Sequence, residues 1–301
     1  MKSSLKVRAL NKCNQPRKYC CSENSNRVPD ILSKESKFPE DCGSTPKYGV
    51  NRVVGGGVIE PDEFSWLVSL EYKEGISGIC GGALINSLYV LTAAHCVTGR
   101  VFEGYGELIA VRLANFRNGQ KCDYGISTCQ HCQRVGIDEI IVHKNYLVND
   151  RTKILNDISL VRLKKRIKFT DTLKPICLPF GINSHIVEPS ADTWVTVTGW
   201  GRTSSLADSI AKRAVSIPLW TKSRCLNDTR RDESQICAGI SGRGSCHGDS
   251  GGPLMHEFEN RRMVLEGIVS YGVIECATPT FPGVFTRVRS FSDWIEINMI
   301  M

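Results

Sequence analysis

The chain has 301 residues, 41% of them hydrophobic and 23% charged, the composition of a globular protein long enough for more than one core. No apolar run is long enough to span a bilayer. The formal charge of +7 is concentrated at the start: residues 1–52 hold 11 Lys/Arg against 5 Asp/Glu and the rest hold 27 against 26, so the larger part gives no electrostatic case for nucleic acid.

Fourteen cysteines imply an oxidising compartment and hence a secreted, extracellular protein. Residues 1–8 nevertheless lack the apolar core of a secretory signal, and the expectation is that part of the N-terminus is missing. Cys13 is followed by the adjacent pair Cys20 and Cys21. Residues 22–41 are rich in Ser, Asn, Glu, Lys and Pro and read as a flexible linker. The linker ends at Cys42, just before Arg52-Val53-Val54-Gly55-Gly56.

Beyond this point short β-branched or apolar runs, separated by Gly and polar turns, predict strands at 53–54, 64–72, 83–91, 111–113, 158–163, 194–198 and 264–270. Val288, Phe291, Trp294, Ile295 and Asn298 fall at helical spacing and predict a C-terminal amphipathic helix. Three strings among these elements carry chemistry: Leu91-Thr92-Ala93-Ala94-His95-Cys96, Asn156-Asp157-Ile158-Ser159-Leu160 and Gly248-Asp249-Ser250-Gly251-Gly252-Pro253. A serine hydroxyl needs a base to attack at neutral pH. Small neighbours let the backbone fold tightly around it, so that N–H groups converge on a developing oxyanion. A lone His or Asp in an apolar run is usually structural; three such strings in this order are not.

Residues 53–301 resemble the chymotrypsin-like family of serine endopeptidases. The resemblance implies an all-β fold of two antiparallel six-stranded barrels with a C-terminal helix and a cleft between them. It implies His95, Asp157 and Ser250 as the catalytic groups and the N–H groups of Gly248 and Ser250 as the oxyanion hole. Arg52-Val53 resembles a zymogen cleavage site: a trypsin-like protease would cut after Arg52, and the freed ammonium of Val53 would pair with Asp249. Ser270 matches the residue that supports the triad Asp and opens the substrate-binding strand. Gly244, Gly272 and Gly283 match the pocket walls, with Phe285 adding apolar surface near its base. Trypsin-like relatives carry Asp where this chain has Gly244, so cleavage is expected after Phe, Tyr, Leu or Met; the rival is residual trypsin-like cleavage using another carboxylate.

The leader resembles the closing half of an arthropod clip domain, a small disulfide knot of six cysteines whose last two are adjacent. The expected organisation is a clip remnant at 1–21, a linker and activation peptide at 22–52, and the protease domain at 53–301. Family pairings carried over are Cys42 with Cys177, Cys80 with Cys96, Cys225 with Cys237, Cys246 with Cys276, and Cys122 with Cys129, leaving Cys132 unpaired. Val195 and His256 stand where a further bridge of many relatives would be. A zinc site at Cys129-Gln130-His131-Cys132 lacks a second pair of ligands, and calcium is disfavoured because Asn115 replaces an acid. No metal or cofactor is implied. His143 and His185 read as surface residues, and Asn227-Asp228-Thr229 is the one glycosylation sequon.

Implied partners are a protein substrate, an upstream activating protease and a serpin inhibitor, in a haemolymph cascade of immunity, melanisation or clotting. The alternative is a non-catalytic homologue acting as a binding cofactor.

Overall fold

The computed structural model describes residues 37–45, 57–60, 62–113, 133–149, 153–181, 185–201, 211–228, 230–240, 249–272 and 282–300. The clip-like stretch 1–21, Arg52, Val53 and the predicted strand they open, the cysteines at 122, 129, 132, 246 and 276, Gly244 and Gly248 lie outside these residues.

The apolar runs of the first half close into a six-stranded antiparallel barrel, in the order β2 (Leu67–Tyr72), β3 (Ser77–Leu84), β4 (Tyr89–Thr92), β9 (Ser159–Leu163), β6 (Gln133–Val142) and β5 (Leu108–Leu113). Every residue of β2 is buried, which requires its one charge to be matched. Glu71 accepts hydrogen bonds from Arg112 on β5 at 2.7 Å and from Arg134 on β6 at 3.0 Å. Burial works to raise the Glu71 pKa, and the two guanidiniums overcome it and hold the carboxyl below the usual range.

The run at 83–91 is not one strand. It breaks between β3 and β4 because the Asn86 side chain accepts the N–H groups of Leu88 and Tyr89, at 2.9 and 2.8 Å, and turns the backbone. A short hairpin, β7 (Leu147–Asn149) with β8 (Lys153–Leu155), precedes β9.

The second half forms an antiparallel sheet in the order β1 (Gly57–Val58), β11 (Arg213–Pro218), β10 (Trp194–Gly199), β13 (Pro253–Phe258), β14 (Arg262–Tyr271), β15 (Gly283–Arg287) and β12 (Gln235–Ala238). Six of these curl until Leu219, just beyond β11, bridges Ala238 on β12. The seventh, β1, pairs with the other edge of β11. Phe285 is fully buried with Val195, Leu254 and Val269 in this core, rather than standing free to line a pocket.

After β15 the chain makes a 3₁₀ turn and then a short C-terminal helix (Ser292–Asn298), whose Ile295 is fully buried. The end of the chain reaches the first barrel: Tyr89 Oη accepts the N–H of Ile300 at 2.9 Å. His143 is not a simple surface residue, because its ring packs edge-on against Phe291 and Trp294, each at 5.2 Å. Burial holds its pKa below the ordinary value, with Lys144 acting in the same direction. His185 is exposed and lies edge-on to Phe258.

Residues 37–45 dock against both halves, the Lys37 carbonyl accepting from Asn86 Nδ2 at 3.1 Å on the first barrel. Phe38 packs edge-on against Phe180, Cys42 is bridged to Cys177, and Gly43 donates to the Pro175 carbonyl and accepts from Met263 N–H, both at 2.8 Å. Arg262 donates to the carbonyls of Glu40 and Cys42.

His256 faces a buried ion cluster. Its Nδ1 lies 3.2 Å from Glu266 Oε1, and Arg289 donates to both Glu266 oxygens at 2.9 Å. Glu266 is 2% exposed; burial works to raise its pKa, and His256 and Arg289 bring it below the usual range. Glu266→Ala would leave a guanidinium buried without its partner and is expected to cost about 3–5 kcal/mol, read by urea unfolding at neutral pH. Because the folded pKa is depressed, the carboxylate's contribution is present above its unfolded value and is lost as pH falls through the folded one. The gap between wild type and variant should therefore close in acid; a gap constant down to the acid transition would contradict this account.

Candidate active site

β4 runs straight into a single 3₁₀ turn, Ala94–Cys96, that carries His95. Cys96 is bridged to Cys80 on β3, so the turn is stapled to the barrel wall at the residue after His95. Asp157 arrives from the other side. Asn156 adopts a left-handed conformation (φ 52°), which a short polar side chain tolerates, and the chain bends there so that Asp157 points inward ahead of β9. Asp157 is 1% exposed, yet its carboxylate is well supplied with donors. It accepts the His95 backbone N–H at 2.9 Å, pairs with His95 Nδ1 at 2.8 Å, and accepts the Ser270 hydroxyl at 2.5 Å. Thr286 on β15 donates to the Asp157 carbonyl at 2.8 Å.

Burial alone would raise the Asp157 pKa; the charge and hydrogen bond of His95, with Ser270, hold it below the usual carboxylate range. Burial alone would lower the His95 pKa; the Asp157 charge and hydrogen bond hold it above the ordinary histidine value. The imidazole remains 21% exposed at its side chain, with Nδ1 occupied by Asp157 and Nε2 3.6 Å from Cys96 Sγ.

Ser250 sits in a tight turn in which Gly252 N–H returns to the Asp249 carbonyl at 2.9 Å. This turn is pressed onto the first barrel: Gly81 on β3 donates to the Ser250 carbonyl at 2.8 Å. Gly251 has φ 75°, and a Cβ there would collide with Thr92 Oγ1 and stand 3.1 Å from Cys96 Sγ. The serine turn and the histidine turn thus approach so closely at Gly251 that no side chain fits between them. The Asp249 carboxylate lies in a glycine-lined seat, accepting Gly201 N–H at 2.9 Å, where any Cβ on Gly199 would strike it. Among the described residues nothing lies within 4 Å of a Cβ built on Gly272, at the strand end that carries Ser270. Gly283 is the first residue of β15.

Cys80, His95 and Cys96 place ligand-type atoms within 4.8 Å of one another, but both sulfurs are joined in the disulfide. Without a thiolate this group cannot hold zinc. Among the described residues three disulfides are formed, the third linking Cys225 and Cys237. Residues 195 and 256 fall opposite each other by continuation of the β10–β13 register, Thr196 facing Met255.

Sequence reasoning did not single out Thr286, Gly199 or Gly201. The last two flank Trp200 as a Gly-Trp-Gly string, the one local sign that a backbone here must be approached closely.

Two barrels meeting around a His–Asp pair and a serine turn define a class, and comparison with known proteins gives the same class. Residues 53–295 match the Trypsin family model. The chain belongs to the trypsin family of serine proteases, among the arthropod clip-domain members. It is 40% identical over 300 residues to CLIP domain-containing serine protease HP8 of Bombyx mori, covering 92% of this chain and 79% of that protein. Phenoloxidase-activating factor 1 of Holotrichia diomphalia is 36% identical over 291 residues, covering 91% and 75%. Spaetzle-processing enzyme of Drosophila melanogaster is 36% identical over 297 residues, covering 91% and 73%. No helix among the described residues is long and apolar enough to cross a membrane.

Proposed function

We propose that the protein is a secreted serine endopeptidase zymogen, opened by cleavage after Arg52, that hydrolyses peptide bonds after large hydrophobic residues in an arthropod haemolymph cascade. The observation that carries the reading is the hydrogen-bonded run from Ser270 through Asp157 to His95, ending in a partly exposed imidazole beside the Ser250 turn.

In the reaction, His95 Nε2 takes the hydroxyl proton as Ser250 Oγ attacks the peptide carbonyl. Asp157 fixes the tautomer and stabilises the imidazolium. The N–H groups of Gly248 and Ser250 receive the oxyanion, each donor contributing about 100- to 1,000-fold in rate. The imidazolium gives its proton to the leaving amine, and a water activated by His95 releases the acyl group.

The glycine-lined seat of Asp249 supports its part in activation. The new ammonium of Val53 would join that carboxylate, and breaking a buried pair of this kind costs about 3–5 kcal/mol. Gly244 brings no carboxylate to the substrate pocket, and Gly272 brings no side chain to narrow it. A bound Lys or Arg would bury its charge unmatched.

In this reading residues 1–21 are the end of a clip domain, 22–52 the linker and activation peptide, and 53–301 the protease domain. Cys122 with Cys129 and Cys246 with Cys276 complete the disulfides, and exposed Asn227 carries a glycan. The names of the relatives, phenoloxidase activation and Spaetzle processing among them, support an immune or melanisation role with a protein substrate, an upstream protease cutting after Arg52 and a serpin inhibitor.

A fluorophosphonate probe should label Ser250 in the Arg52-cleaved protein and leave the single chain and Ser250→Ala unlabelled. A Phe-terminated anilide should be hydrolysed faster than an Arg-terminated one. Failure to label after cleavage would favour the non-catalytic homologue; a dominant Arg signal would overturn the pocket assignment.

A further inference from the structure

A three-residue 3₁₀ turn is a poor mount for a group that must be held to within a fraction of an ångström. It has almost no internal hydrogen bonding, and the carbonyls at its end are left without intrahelical donors. In the turn Ala94–Cys96 the backbone bonds are long: Cys96 N–H to Ala93 O at 3.2 Å and Val97 N–H to Ala94 O at 3.1 Å. The disulfide restrains one side chain of the turn, not the direction of its peptide planes.

Two side-chain hydroxyls supply what the turn lacks. Tyr72, the last residue of β2, is 1% exposed and donates its phenol to the Cys96 carbonyl at 2.8 Å. Thr98 donates to the Ala94 carbonyl at 2.8 Å. His95 lies between the two carbonyls so held. Thr98 occupies the N-cap position of α1 (Gly99–Tyr105), where a threonine hydroxyl ordinarily accepts a helix N–H, and it makes no such bond. Its hydroxyl turns back to the histidine turn instead. Burial raises the Tyr72 pKa far above the ordinary phenol value, so this donor keeps its proton throughout the pH range of peptide hydrolysis. Its ring also meets that of Tyr105 on α1, with centroids 6.3 Å apart.

We propose that Tyr72 and Thr98 are positioning residues, whose hydroxyls clamp the turn on both sides of His95 and hold the imidazole in line between Asp157 and Ser250. The inference rests on the endopeptidase reading above. Neither hydroxyl touches substrate. Each acts by fixing a peptide plane that sets the direction of the His95 side chain.

The alternative is that the two hydroxyls only satisfy buried carbonyls, and kinetics separates the two. The test uses the whole chain cleaved after Arg52 with immobilised trypsin, its active serine counted with the fluorophosphonate probe. Tyr72→Phe should lower kcat per labelled serine about 10-fold, misalignment of a reacting group being costly, with KM unchanged. The acid limb of the kcat/KM profile should also move to lower pH. Asp157 holds the His95 pKa up, so a looser pair lets it fall and the free base persists into more acid solution. Thr98→Val should shift both quantities in the same direction. Tyr89→Phe is the matched control: it removes a buried hydroxyl that bonds Ile300 N–H and carbonyl at the far end of β4. It should lower Tm while leaving kcat and the pH midpoint unchanged.

If Tyr72→Phe and Thr98→Val lower Tm but keep wild-type kcat and midpoint, the clamp is refuted and the endopeptidase reading stands. If Tyr72→Phe does not fold, Thr98→Val decides by the same two readouts. A cleaved wild type that takes no label refutes the functional reading itself, and the clamp with it.

Discussion

Replacing Asp157 with asparagine is expected to lower kcat about 10,000-fold in the cleaved protein with little change in fold. Asp157 takes its hydrogen bonds from the His95 N–H, His95 Nδ1 and the Ser270 hydroxyl. An amide of the same shape can keep two of the three. If its NH₂ faces Nδ1, the ring nitrogen must accept, the proton moves to Nε2, and the nitrogen that should take the serine proton is already protonated. The variant also loses the charge that raises the His95 pKa. Steady-state rates across about pH 5–9 should show the wild-type acid limb above the ordinary histidine value of about 6.5, and the variant's residual activity with its limb displaced downward. An asparagine variant within 10-fold of wild type would remove Asp157 from the mechanism.

The same pair leaves a stability signature. The Asp157 pKa is lowered by folding, so its contribution is present above the unfolded value and lost as pH falls through the folded one. The His95 pKa is raised, so its contribution is complete below the unfolded histidine value and lost as pH rises through the folded one. Maximal benefit therefore lies in mildly acid solution, between the two carboxylate and histidine ranges.

Gly251→Ala is expected to reduce kcat about 100-fold and to lower Tm. A left-handed alanine costs about 1–2 kcal/mol in strain, and that is the smaller part. The added methyl would meet Thr92 Oγ1, which already donates to Gly81 O at 2.7 Å, and would stand 2.5 Å from that carbonyl. Neither atom can yield, because both belong to the barrel wall. Relief requires the serine turn to back away from the histidine turn. Gly104 in α1 has nothing within 4 Å of its Cβ position among the described residues, and Gly104→Ala should leave Tm unchanged or raise it slightly. Equal effects of the two substitutions on rate and Tm would refute the steric argument.

The candidate chemistry was legible because it depends on residue types in fixed local strings, and the strings around His95, Asp157 and Ser250 are short and nearly unbroken. The runs at 158–163, 194–198 and 264–270 became β9, β10 and β14 within a residue or two, since alternating β-branched side chains have few other ways to be buried. The run at 83–91 misled for a physical reason. It contains no Gly or Pro, and its turn is made by one asparagine side chain capturing two backbone donors. Strands β11, β12, β13 and β15 were missed because they bury polar groups that read as solvent-facing. Lys212 just before β11, Gln235, His256 and Thr286 are all under 10% exposed. Gln235 donates to the Ile154 carbonyl and Thr286 to that of Asp157. The clamp residues were invisible for a related reason: Tyr72 meets Cys96 across 24 positions of sequence, and nothing local to the tyrosine announces it.

The junction of Cys42 with Cys177, reinforced by the seats of Phe38 and Gly43, has a consequence for how activation would look and act. A cut after Arg52 severs the backbone and liberates no fragment. Non-reducing electrophoresis would show an unchanged band, and only added thiol would split it in two. Any surface that bound the leader would hold the cleaved protease domain as well, so that proteolysis would be confined around the anchoring point rather than spread throughout the surrounding fluid.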